Sequence, residues 1–168
     1  MKPEIWYDWD NNKNQSVFEN NFYNLHAPDI KEDTTMDANM KKRNELLAKT
    51  VIKGLESRNM SGYYAQDKEA ALKQALELIP NGSTIAMGGC MSAHEIGLVK
   101  ALQDGDYNYI DRAKLEPREG LMAAYDADFF LSSANAVTDD GVLVNIDGNS
   151  NRVSCIAQGP KKVIFIVG

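Results

Sequence analysis

Residues 84–102 read TIAMGGCMSAHEIGLVKAL, and the fold follows from how this stretch divides. Thr84, Ile85, Ala86 and Met87 make a short buried strand, the glycine pair Gly88-Gly89 turns the chain, and residues 92–102 carry apolar side chains at helical spacing. A strand passing through a tight turn into a helix is the repeating unit of an α/β protein. The alternation continues downstream: residues 107–110 read as a strand, 118–125 as a helix and 128–132 as a strand. The run VIFIV at 163–167 has the continuous apolar character of a central parallel strand. Short loops between such elements imply a mostly parallel, Rossmann-like sheet flanked by helices.

Upstream, Leu46, Leu47, Val51, Ile52 and Leu55 form a stripe that predicts a helix ending near Arg58. Tyr63, Tyr64 and Ala65 read as a short strand, and Asp67 is placed to cap a helix that Pro80-Asn81-Gly82 ends. Near the C-terminus, Val142, Val144 and Ile146 alternate with other residues, and Val153, Cys155 and Ala157 do the same across DGNSN, which predicts a β-hairpin. Residues 1–35 differ in kind: seven acidic residues against three basic, and six of the chain's fourteen aromatics, among them Trp6, Trp9 and Phe22. They read as an aromatic-rich arm ahead of an α/β domain at 36–168. The arm either covers its own domain, reaches across to a second subunit in a homodimer or larger homo-oligomer, or forms a disordered extension.

Among the chain's 168 residues, 18 Lys and Arg against 24 Asp and Glu leave a net charge of −6, which disfavours phosphate backbones and anionic lipid. The apolar runs are far shorter than the roughly 18 residues a bilayer span needs, and the polar start MKPEIWYDWD is unlike a signal peptide. These features predict a cytoplasmic protein with neither nucleic acid nor membrane as partner. Cys90 and Cys155 alone can build neither a disulfide framework nor a four-cysteine cluster, and neither a dinucleotide fingerprint nor a P-loop follows the glycine pair. No metal and no cofactor is expected, so unaided redox chemistry is not either.

The turn Gly88-Gly89, between a strand and a helix, is placed to present backbone N–H groups to an anion, or is simply a turn. Cys90 and His94, four apart, would share a helix face, the helix dipole lowering the thiol pKa and the imidazole taking its proton; the alternative is a space-filling cysteine and a solvated histidine. Glu95 is either a base facing the ligand or a carboxylate placed for the helix dipole. Ser132, Ser133 and Asn135 follow the apolar FFL and belong at the same sheet edge as the glycine pair. Arg152 reads either as a clamp for a carboxylate or phosphate, with Asn and Ser donors, or as a brace against Asp147 or Asp140.

The segments GGCMSAHEIGL (88–98), ADFFLSSANAVTDDGVLVNIDGNSNRV (127–153) and GPKKVIFIVG (159–168), in that order and spacing, resemble the LUD domain of lactate-utilization proteins, LutB/LutC-like. The resemblance runs from about residue 40 to the end of the chain. It implies a NagB/RpiA/CoA-transferase-like fold and a bacterial setting in which such proteins take part in oxidising lactate or a related 2-hydroxycarboxylate, alongside iron–sulfur oxidoreductase subunits. By that likeness Gly88, Gly89, Met91, Glu95 and Gly97 match one motif; Ser133, Asn135, Asp140, Gly141, Asn145, Asp147, Gly148, Asn151 and Arg152 match the other. The family commonly has Ser at the place of Cys90, and many relatives continue past the Val-Gly strand into clustered cysteines, so a C-terminal segment is expected to be missing here. The expected ligand is a small carboxylate or phosphorylated metabolite held by Gly88, Gly89, Ser133, Asn135, Asp147, Asn151 and Arg152, with Glu95 or Cys90 as the working group of any catalysis. Alternatives are an independent isomerase or CoA/acyl-transferase-like enzyme, and a noncatalytic interaction subunit.

Overall fold

The computed structural model describes residues 38–168; the arm assigned to 1–35 lies outside them. The elements are α1 (Ala38–Glu56), α2 (Lys68–Leu78), β1 (Thr84–Met87), α3 (Met91–Glu95), α4 (Leu98–Asp104), β2 (Asn108–Tyr109), a 3-10 turn (Arg112–Lys114), α5 (Pro117–Tyr125), β3 (Phe129–Ser132), β4 (Ala136–Val137), β5 (Leu143–Val144), α6 (Asn151–Ala157) and β6 (Lys162–Phe165). Four strands form one all-parallel sheet in the order β2-β1-β3-β6. Ile85 lies beside Phe129, and Phe130 beside Val163.

All four residues of β3 are buried because helices cover both faces of the sheet. Side chains alternate between the faces. Ile85, Phe129 and Leu131 pack with Ala93, Leu98 and Leu102 of α3 and α4 and with Ala75 of α2. Ala86 and Phe130 pack on the opposite face with Ala124 of α5 and Cys155 of α6. Among the described residues no helix is long and apolar enough to cross a membrane.

Five expectations change. The apolar run at 163–167 predicts a central strand, but β6 stands at an edge of the sheet, with Lys162 exposed and Val163, Ile164 and Phe165 half-buried, because among the described residues no strand pairs with its other side. Helix 92–102 is two helices, because Gly97 adopts φ 78, the left-handed region open to glycine, and breaks the turn between α3 and α4. Residues 63–65 form no strand: Gly62 packs on Ile52 of α1, and no neighbouring strand offers a ladder there. The hairpin pairs other strands, β4 with β5, antiparallel, closed by a turn in which the Gly141 N–H donates to the Thr138 carbonyl. Val153, Cys155 and Ala157 lie in α6 instead, since the Asp147 carboxylate accepts the backbone N–H of Arg152 and of Val153, at 2.7 and 2.6 Å, and so caps the first turn of a helix. Gly54, inside α1, is where that helix meets the β4–β5 turn: a Cβ there would stand 1.9 Å from the Asp140 carbonyl oxygen.

Asp67 caps α2 as its position predicts, its Oδ1 accepting the Ala70 N–H at 2.8 Å. Asp67→Ala is expected to cost about 1 kcal/mol. In urea titration the midpoint falls with an unchanged slope; an unchanged midpoint would show that packing alone holds the start of α2.

Candidate ligand-binding edge of the sheet

In an open parallel sheet, ligands sit beyond the carboxyl ends of the strands. Here that edge is formed by the loops after Met87, Ser132 and Phe165. The Gly88 N–H donates to the Leu131 carbonyl at 3.0 Å, carrying the ladder one residue past β1. Gly88 is buried, and it must be glycine for space: a Cβ would lie 2.4 Å from Phe130 Cζ and 3.0 Å from Arg152 Cγ. The glycine turn and the segment around Arg152, 64 positions apart, therefore meet. Gly89 is exposed at φ 63, with open space where a side chain would project.

Arg152 organises the other half of the edge. Its Nε donates to Asp147 Oδ1 at 3.0 Å. One terminal nitrogen donates to the Ser133 carbonyl and to Asn145 Oδ1, and the other to Asn135 Oδ1 at 2.6 Å and to the Ile146 carbonyl. A guanidinium has five N–H donors, and all five are taken by the protein. The Arg152 and Asp147 side chains are only 15% and 7% exposed. Burial alone would raise the Asp147 pKa, but the Val153 and Arg152 N–H groups and the guanidinium outweigh it and hold the carboxyl below its usual value. Asn135 also accepts the Ile146 N–H at 2.9 Å, so one amide oxygen joins the strand-end loop to the segment leading to α6.

Of the residues the sequence singled out, Gly88, Ser133, Asn135, Asp147 and Arg152 come together here, with Gly89 beside Gly88. Asn145, carried only by the family resemblance, joins them through Arg152. Asn151 opens α6, its carbonyl accepting the Ser154 hydroxyl at 3.2 Å. Asp140 lies apart, bound to Arg58 near the end of α1, so the partner of Arg152 is Asp147.

Cys90 and His94 do not share a face. Cys90 is buried ahead of α3, its Sγ 3.9 Å from the Ile166 carbonyl oxygen, and burial pushes its thiol pKa up; His94 is exposed. The difference arises because α3 begins at Met91, leaving Cys90 extended at φ −112 and outside the helical register. Glu95, at the end of α3, is exposed and lies 3.9 Å from Lys68 in a solvated ion pair. Among the described residues no group of three or more His, Cys, Asp or Glu side chains is placed to hold a metal ion.

The sequence offered Arg152 as the cation of this edge, and it missed Arg112. Carbonyls two apart on a strand point the same way, so Met87, like Ile85, faces β2. The Ile85 carbonyl accepts the Ile110 N–H at 2.8 Å, but β2 has ended by the level of Met87. The half-buried Arg112 fills that place with a side chain, Nη1 donating to the Met87 carbonyl at 3.4 Å. No local pattern marks such a residue, because its position depends on where a neighbouring strand stops. Two hollows, of about 450 and 620 Å³, lie elsewhere. One is lined by Leu72 and Leu76 of α2; the other, by Tyr125 and Gly159, is at the amino ends of the strands.

The LUD-domain family model matches residues 48–168, most of the chain and all of the sheet. This chain belongs to the LUD-domain family. No curated protein and no solved structure matches it. The matched span contains both halves of the edge, and the LUD domain here is an α/β unit with an all-parallel four-stranded sheet and a separate antiparallel strand pair.

Proposed function

We propose that this LUD domain serves lactate utilization by binding a small 2-hydroxycarboxylate, or the 2-oxo acid it yields, at the carboxyl edge of its sheet. The observation that carries the reading is the close approach of Gly88 to the Arg152 stem, which brings two distant family-matching segments to one rim. In this reading Arg152 shapes the rim and the ligand's partners are other groups. Four of its five bonds hold Ser133, Asn135, Asn145 and Ile146 in place, while exposed Gly89 leaves room for a ligand beside the turn. Support for binding over covalent chemistry comes from Cys90, which is buried with its thiol pKa raised and has no base hydrogen-bonded to it among the described residues.

Titration calorimetry with lactate, pyruvate and glycolate tests this. A metabolite-range dissociation constant, roughly 1 μM to 1 mM, is expected for at least one acid. Gly89→Val, which fills the open space beside the turn and, at φ 63, also strains its backbone, is expected to weaken it about tenfold or more. Absence of binding by all three acids would refute the reading.

A further inference from the structure

We infer that Arg112 is the residue that anchors the ligand's carboxylate, an inference that rests on the carboxylate-binding reading above. Two arginines touch consecutive residues where β1 passes into its turn: Arg112 donates to the Met87 carbonyl, and the Arg152 stem packs where a Gly88 side chain would stand. Their states are opposite. Arg152 has every donor engaged and its charge matched by Asp147. The Arg112 guanidinium spends one donor on a bond of 3.4 Å, and the side chain makes no other hydrogen bond or ion pair among the described residues. It is also half-buried, unlike Arg43 and Arg118, which are exposed on helices.

A partly desolvated guanidinium without a counter-charge is unfavourable until an anion reaches it. The fork of two parallel N–H groups matches the two oxygens of a carboxylate. The Arg112 stem runs beside Gly120 of α5, where an added Cβ would stand 3.6 Å from Arg112 Cβ and Cγ, while Nη1 reaches the end of β1. A carboxylate on Arg112 would thus place the rest of a small acid over the glycine turn, within the edge braced by Arg152.

Arginine-directed labelling with phenylglyoxal, followed by peptide mass mapping of the full chain, tests this without an activity assay. Arg112 is expected to react at least about tenfold faster than Arg152, and saturating lactate or pyruvate is expected to slow Arg112 while leaving exposed Arg118 unchanged. In calorimetry R112Q is expected to weaken acid binding by on the order of 10- to 100-fold, and R112K, which keeps the charge but not the fork, by less, with the melting curve unchanged. An Arg112 as inert as Arg152, or wild-type affinity in R112Q, overturns the inference. Should R112Q fail to fold, R112K and the protection experiment on the unaltered protein decide. Should the wild type bind none of the acids, the carboxylate reading falls, and protection of Arg112 by inorganic phosphate then decides separately: protection upholds Arg112 as an anion seat, and its absence overturns it.

Discussion

Asp147→Ala is expected to lower the stability of the domain by about 3–5 kcal/mol, because it strips the counter-charge from a largely buried guanidinium. It also removes the acceptor of two backbone N–H groups in the first turn of α6. For a domain of this size the melting temperature should fall by roughly 10–20 °C. Arg152→Met should be severe as well, yet the double variant should lose less than the two single losses added together, since each single change leaves an uncompensated charge. Strict additivity in that cycle would mean that the two side chains act separately. The pair also sets an acid limit. The Asp147 pKa lies below its ordinary value in the folded chain, so its contribution is complete above the unfolded-state pKa of about 4 and disappears as pH falls through the lower folded value. Asp147→Asn should therefore flatten the decline of stability below about pH 4, and an unaltered acid profile in that variant would remove Asp147 from the account.

Gly88→Ala is expected to cost about 1–3 kcal/mol through overpacking. The nearest obstacle is the ring of Phe130, fully buried at the centre of the sheet, 2.4 Å from the added carbon at its Cζ. The next is the Arg152 stem, so the added methyl also pushes on the residue that holds Ser133, Asn135 and Asn145 together. Acid binding should weaken along with stability. Gly82→Ala is the matched control: Gly82 has φ 78 and open space around it, so alanine there meets backbone strain alone, about 1 kcal/mol. If chemical denaturation ranked Gly82→Ala as the more damaging, close packing at Gly88 would not be what the edge depends on.

Much of the sheet was legible locally. Strands β1 and β3 lie in short apolar runs, and a strand buried on both faces needs nothing else to declare itself. The run that holds β6 declares a strand in the same way, but its place at the edge of the sheet, with Lys162 exposed and the rest half-buried, is not written in it. The misreadings share one cause. Val153, Cys155 and Ala157 alternate as a strand would, but the carboxylate that makes them helical belongs to Asp147, three residues before the cap position Ser150. Gly97 sits within a helical apolar pattern, and only its positive φ divides α3 from α4. At the edge, a glycine pair, a Ser-Asn segment and an arginine were all visible as polar residues at strand ends. Which arginine is satisfied internally and which retains open donors was not.

The α/β alternation of the central sheet, its apolar runs and the motifs of the LUD-domain family were determined by the amino-acid sequence alone, since periodicity and motif spacing are properties of neighbours along the chain. The partner of each charge was decided only in three dimensions. Arg152 and Arg112 are alike as letters; what separates them is that Asp147 and four carbonyl or amide oxygens surround one guanidinium, whereas the other reaches past the last residue of a shorter strand. A hydrogen bond depends on distance and direction between groups that folding alone brings together.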